Sequence, residues 1–281
     1  MPKNIKPTSR ILNCIPSREP EKDWRFEHAV GAGLVASMAA VPAPTPSPTP
    51  TPPAPTPAPA DSIDLREPWW TVGDQLATGS CVGWATADSV LRWHFVKSKE
   101  LQPDQRLSPR FIWMAAKETD QYVSQPTTFI ELEGTSLKAA LDIARKFGAV
   151  ADAVLPFNTG QLYPQDRNTF YAIAAQLKIS SYFNLGLDLD KWRAWLAGNG
   201  PILTRLNVDA TWDNADTTQG NLDIYQPQTT RGGHAVALVG YTPDRFIVRN
   251  SWGTGWGDQG YAYASIAYAQ AAFLEAYGVV V

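Results

Sequence analysis

Beyond residue 60 the spacing of apolar positions falls into two regimes. From Val82 the chain reads VGWATADSVLRWHFVKSKEL, with no proline before Pro103 and no glycine beyond its first turn. Its apolar residues recur on more than one helical face, which predicts a long helix. A second helix is expected over Ser136–Phe147, with Ser136 near its N-cap and Gly148 as its stop. Ser108–Lys117 and Leu189–Ala197 carry shorter helical patterns. Further on the period shortens, predicting strands at Ile202–Val208, Ala235–Tyr241, Arg245–Asn250, Gly260–Ala264 and Gly278–Val281. Helices first and strands later predict an α+β protein with segregated halves, and a cleft between such halves is the natural place for a site.

The first 60 residues are different. Positions 42–60 contain ten of the 23 prolines, which predicts an extended polyproline II spacer or crossing loop. It divides an N-terminal piece, 1–41, from a body at 61–281. The apolar run Ala29–Val41 has the small residues of a signal h-region, but Glu19, Glu21, Asp23 and Glu27 precede it. A small-residue loop or strand is the better expectation there.

Composition narrows the field. Of 281 residues, 44% are hydrophobic and 18% charged, as suits globular units with a substantial core. A net charge of −3 offers no electrostatic footprint for nucleic acid. No apolar run of about 20 residues predicts a membrane span. Cys14 and Cys81 are the only cysteines, so no disulfide framework is available and a reducing compartment is compatible.

The chemistry concentrates around one of those cysteines. Cys81 stands where the long helix starts, and partial positive charge at a helix N-terminus favours thiolate over thiol. A buried structural thiol is the ordinary reading of a single cysteine, and the neighbouring residues weigh against it here. Gln75 lies six positions earlier, so its side-chain N–H₂ and the Cys81 backbone N–H suit the stabilisation of a tetrahedral oxyanion. His234 follows Gly232–Gly233, which leave room for a close backbone approach, and leads an apolar strand. It suits proton transfer from Cys81 and back to a leaving amine. Asn250, which opens the turn NSWGTGWG, can hold the imidazole through its other nitrogen. Without the other three, Asn250 reads as an ordinary turn residue and His234 as a strand position. His94, inside the Cys81 helix, reads as a packing or surface residue.

Gln75…Cys81, His234-Ala-Val and Asn250-Ser-Trp-Gly-Thr-Gly-Trp-Gly together resemble the papain-type cysteine peptidases, over most of Asp61–Tyr263. The resemblance implies a two-lobed fold: a helical N-terminal lobe carrying the nucleophile helix, and a β-rich C-terminal lobe. It implies a Cys81–His234–Asn250 triad with Gln75 in the oxyanion hole and no metal or cofactor. It further implies Trp252 shielding the His–Asn contact on the leaving-group side, and Gly134, Thr135 and Gly233 holding an extended peptide. The partner expected is a peptide or protein substrate, acted on by a monomer.

Several positions depart from the family pattern. Thr78 replaces a disulfide cysteine, Val82 an aromatic, and Thr135 the second member of a Gly–Gly pair. The 153-residue interval from Cys81 to His234 exceeds the roughly 130 residues of the family signature, and the excess is expected in loops around Asp120–Phe129 and Asp209–Thr230. Leu12–Phe26 resembles a segment that packs in cis on the core of bacterial members; an inhibitory propeptide over the cleft is the rival reading, and cis packing is favoured. Two other functions stay open: a catalytically silent papain-fold binding module, and transpeptidation or deamidation with the same nucleophile.

Overall fold

The computed structural model describes residues 10–35, 61–119, 134–158 and 166–281. The proline run at 42–60 and the loop around Asp120–Phe129 lie outside them.

The long helix forms as three consecutive stretches, Cys81–Gly83, Trp84–Leu91 and Arg92–Lys97, the middle one wound as a π-helix. Every residue from Cys81 to Arg92 is buried, which is why the sequence shows apolar positions on more than one face. Helices Pro109–Thr119 and Leu137–Lys146 pack around it. Ser136 caps the second of these by accepting from the Ala139 N–H at 3.2 Å.

The second half is one sheet in the order β2-β8-β3-β5-β6-β7-β4: β2 (Ser181–Asn184), β3 (Ile202–Val208), β4 (Asn221–Leu222), β5 (Gly232–Tyr241), β6 (Arg245–Arg249), β7 (Tyr261–Ser265) and β8 (Phe273–Val280). A short β1 (Ile63–Asp64) adds to β5. Neighbours are antiparallel, apart from the parallel β4–β7 pair. Alternation along β5 divides the interior. Ala235, Ala237 and Val239 face the helical core, while Val236 and Leu238 join a second core with helix Leu189–Gly198. The helical lobe and the sheet lobe therefore share β5 as their wall, and His234 stands near its first residues.

Sequence expectations for β3 and three of the helices agree within two residues, while the long helix stops at Lys97, four residues before the end of its expected run at Leu101. β8 begins at Phe273, five residues before the expected Gly278, because Phe273 and Ala276 are buried in the second core and Tyr277 in the helical one. The run from Ala29 is not a loop or strand throughout: helix Phe26–Gly31 includes its first residues, and Phe26 and Ala29 enter the second core. Helices Arg167–Ala174 and Ile266–Ala272 were not expected. Among the described residues no helix is long and apolar enough to cross a membrane.

Candidate active site

Cys81 opens the buried helix directly behind Ser80 and is completely buried. Backbone N–H groups of Ala235, Val82 and Cys81 itself point at its sulfur. The Ala235 contact brings the thiol onto β5, one residue from His234. Burial nonetheless pushes the thiol up to about 11, outweighing those N–H groups. The expected thiolate bias at a helix N-terminus is thus overridden in this closed form.

His234 is equally buried. Its Nε2 meets Asn250 Oδ1 at 2.8 Å, and the same oxygen accepts from the Ser251 N–H at 2.8 Å. Since Oδ1 only accepts, Nε2 carries the hydrogen and Nδ1 keeps its lone pair. Nδ1 is buried with no hydrogen-bond partner. Burial pulls the imidazole down to about 4, although the Asn250 bond works the other way and the Arg10 charge adds to the fall.

Aromatic rings enclose this pair. Trp252 lies with its ring centroid 4.9 Å from that of His234, and Trp212 meets the imidazole edge-on at 5.6 Å. Trp256 stacks on Trp212 at 4.9 Å. Trp212 Nε1 donates to Tyr268 Oη at 2.9 Å, and that hydroxyl donates to Asp209 Oδ1 at 2.8 Å. The sequence reading missed Trp212. The one available signal is a large aromatic residue inside the polar, turn-rich stretch Asp209–Thr230, where the sequence predicts a loop.

Gln75 is held by both lobes. Its Nε2 donates to Thr78 O at 2.9 Å, its Oε1 accepts from Ser251 Oγ at 2.9 Å, and its N–H bonds Ser251 O at 2.8 Å. Thr78, where a disulfide cysteine was expected in the family, therefore supports the turn by hydrogen bonds. Its hydroxyl also donates to Gln75 O at 2.6 Å, and neither Cys14 nor Cys81 is in a disulfide.

A buried charge cluster fixes the two lobes behind the site. Asp88, seven residues beyond Cys81 on its helix, pairs with Arg249 at 2.9 Å, both 1% exposed. Arg92 and Arg106 approach the same carboxylate at 3.3 Å. Arg249 is the last residue of β6 and the one before Asn250, so this ion pair joins the helix that positions Cys81 to the strand that leads into Asn250.

The N-terminal piece lies across the site. Cys14 N–H donates to Gly233 O at 3.0 Å, Ile15 N–H donates to Thr135 O at 3.2 Å, and Arg205 Nε donates to Cys14 O at 2.9 Å. Asn13 passes so close to Gly134, and Cys14 to Gly233, that any side chain at either glycine would collide with their carbonyls. Residues Gly134, Thr135 and Gly233, expected to hold an extended peptide, thus hold the chain's own segment. Beyond it, Ser17 N–H donates to Glu275 Oε1 at 3.0 Å, Lys138 pairs with Asp23, and Phe26 enters the second core. Residues 13–26 thus touch both the glycines expected to hold a peptide and the second core. His94 is apart from all this, buried on the Cys81 helix with its Nε2 lacking a hydrogen-bond partner.

Comparison with known proteins agrees with this geometry. The model of the papain family cysteine proteases matches residues 59–277. The chain belongs to the papain family and is a cysteine-type peptide hydrolase with the family's α+β fold. Among curated relatives, Cathepsin B-like CP3 of Giardia intestinalis is 30% identical over 218 residues, covering 72% of this chain and 67% of that protein. Papain of Carica papaya is 64% identical over a stretch of 28 residues, 10% of this chain and 8% of papain. Xylellain, a cysteine protease from Xylella fastidiosa, superposes with a TM-score of 0.72 at 22% identity, over 97% of this chain and 96% of its own. A Carica candamarcensis cysteine protease in complex with E-64 gives a TM-score of 0.54 at 20% identity, over 78% and 98% of the two chains.

Proposed function

We propose that Cys81, His234, Asn250 and Gln75 hydrolyse peptide bonds through a thioester, and that residues 10–17 hold the enzyme latent until they leave the cleft. The observation that carries the first part is the His234–Asn250 bond. It fixes the tautomer so that the lone pair of Nδ1, on the ring edge away from Asn250, is the one available to a thiol. His234 Nδ1 takes the Cys81 proton as sulfur attacks the carbonyl carbon, forming C–S while the carbonyl π electrons move to oxygen. The second N–H of the Gln75 amide and the Cys81 N–H stabilise that oxyanion. The imidazolium returns its proton to the departing amine as C–N breaks. Water, deprotonated by His234, then attacks the thioester and releases the acid and the thiol.

The latent form follows from electrostatics. Under the N-terminal segment the thiol is pushed up to about 11 and the imidazole down to about 4, so between those values both are neutral. Withdrawing the segment readmits water and lowers the cost of a thiolate–imidazolium pair. The fully formed base–orienter pair favours this reading over a silent binding module.

The test is covalent labelling with an epoxysuccinyl thiol-protease probe. Labelling at Cys81 is expected, with loss in Cys81→Ala and His234→Ala. No labelling in full-length or N-terminally trimmed protein would sink the reading. Hydrolysis products without acyl transfer to added amines exclude transpeptidation as the main reaction.

A further inference from the structure

We propose that the leaving-group flank of the cleft is a guanidinium subsite, built by Asp74, Leu76 and Trp252, that selects substrates carrying arginine on the amine side of the scissile bond. This rests on the peptidase reading above.

The subsite is seen with a guanidinium in it, that of Arg10. Its Nη1 donates to Asp74 Oδ1 at 2.6 Å and to Leu76 O at 3.0 Å. Its Nη2 donates to Trp252 O at 3.1 Å and reaches Asp74 Oδ2 at 3.4 Å. Its Cζ lies 5.8 Å from the centroid of the Trp252 ring. One carboxylate, two carbonyls and an indole thus converge on one planar cation. Spread acceptors of this kind suit the fork of arginine better than the compact ammonium of lysine.

All the groups of this subsite belong to the catalytic body, and the body itself fixes them. Asp74 Oδ1 is aimed by the Leu76 N–H at 2.8 Å. Leu76 adopts a left-handed φ of 56°, which sets the direction of the turn beside it. Asp74 bridges to Trp252 in antiparallel fashion, flanked by Gln75 N–H to Ser251 O at 2.8 Å and Gly253 N–H to Gly73 O at 2.9 Å. The subsite therefore persists when Arg10 departs.

Its location assigns it to substrate. Asp74 is the neighbour of Gln75, and Trp252 covers His234. The N-terminal segment runs from Arg10 at this flank, past Asn13 beside Gly79 and Gly134, to Cys14 and Ile15 on Gly233 and Thr135. Between the two ends Asn13 lies against Gly79, two residues before Cys81. A substrate whose acyl part takes the Gly233–Thr135 edge places its amine part toward Asp74. The segment occupies both sides at once, and Arg10 stands in there for a substrate arginine. Asp74 is 36% exposed and Arg10 20%, so water tempers the attraction. An effect of about tenfold is expected.

Full-length Arg10→Ala vacates the subsite and supplies the test. Quenched peptide pools, randomised on the acyl side, carry arginine, lysine or alanine at each of the first three positions beyond the scissile bond. The remaining segment lowers every peptide's apparent affinity by the same factor, so the ratios are unaffected by it. At one of those positions arginine pools should show kcat/KM about tenfold above alanine pools, with lysine between. Adding Asp74→Asn, which keeps an acceptor for the Leu76 N–H, should bring the ratio close to one. Equal handling of arginine and alanine, or a preference that survives Asp74→Asn, overturns the subsite and leaves the peptidase reading standing. Binding of the same peptides to Arg10→Ala/Cys81→Ala, read by fluorescence anisotropy, separates the two ideas. Arginine-dependent binding with no turnover by the Cys81 protein upholds the subsite and removes the peptidase.

Discussion

His94 and His234 are both buried, and burial pulls both imidazoles down to about 4. Their surroundings differ in kind. His94 is shifted by desolvation alone, buried on the Cys81 helix, with the edge of Trp93 at 5.2 Å as an aromatic neighbour. His234 has an amide oxygen fixing one nitrogen, a lone pair on the other, and the rings of Trp252 and Trp212 against it. A depressed imidazole therefore does not by itself mark a functional site; the tautomer fixed by Asn250 is what separates His234 from His94.

The largest expected effect breaks the equivalence of the two histidines. His234→Ala should reduce hydrolysis or Cys81 labelling by about 10³-fold or more, since base catalysis of this kind contributes about 10²–10⁴. His94→Gln should leave the labelling rate within about twofold while lowering the urea midpoint, because it changes core packing and nothing at Cys81. Equal losses in both variants, read from initial rates, would erase the distinction.

Asn250→Ala removes what His234 has and His94 lacks. Labelling is expected to fall about 10- to 100-fold, less than for His234→Ala, because the base remains but its tautomer and orientation are no longer held. An effect as small as that of His94→Gln would show that the Asn250 bond does not orient the imidazole.

Acidity treats the two alike in stability and should show it. Each imidazole is held near 4 in the folded protein, against an ordinary 6.5. Between those values the unfolded chain binds protons that the folded chain refuses, so stability falls as pH drops through that window and levels off below it. The loss is on the order of 1–3 kcal/mol per histidine. Urea midpoints at several pH values should decline more gently in His94→Gln than in wild type. For His234 the same linkage acts on the segment over the cleft: acid favours the uncovered form, so labelling of full-length protein should be faster at pH 5 than the thiol chemistry alone gives.

The sequence made much of this legible, and for a physical reason. Nucleophile, base, orienter and oxyanion glutamine need particular side chains, and Gln75, Cys81, His234 and Asn250 are set in recognisable surroundings. The strands were legible where β-branched and apolar residues gather between turn signals, as in Ile202–Val208 behind Gly200-Pro201. The path of residues 10–17 was not, because the bonds from Cys14 and Ile15 to Gly233 and Thr135 are main-chain bonds that any residue but proline can make. Trp212 escaped for a related reason. It reaches His234 through a loop whose trajectory has no period, and its side-chain partner Tyr268 lies 56 residues away in sequence. Helix Arg167–Ala174 did carry a signal, Asp166 accepting from the N–H groups of Asn168 and Thr169, but it spans only eight residues.

The central claim is that a complete cysteine-peptidase site lies neutralised beneath the chain's own N-terminal segment. Its most direct test is the rate at which an epoxysuccinyl probe modifies Cys81 in full-length wild type and in full-length Cys14→Pro/Ile15→Pro. That variant lacks both main-chain donors that hold the segment at Gly233 and Thr135. Slow labelling of wild type, labelling roughly tenfold or more faster in the variant, and none in Cys81→Ala are the predicted results. Equal rates in wild type and variant would contradict the account.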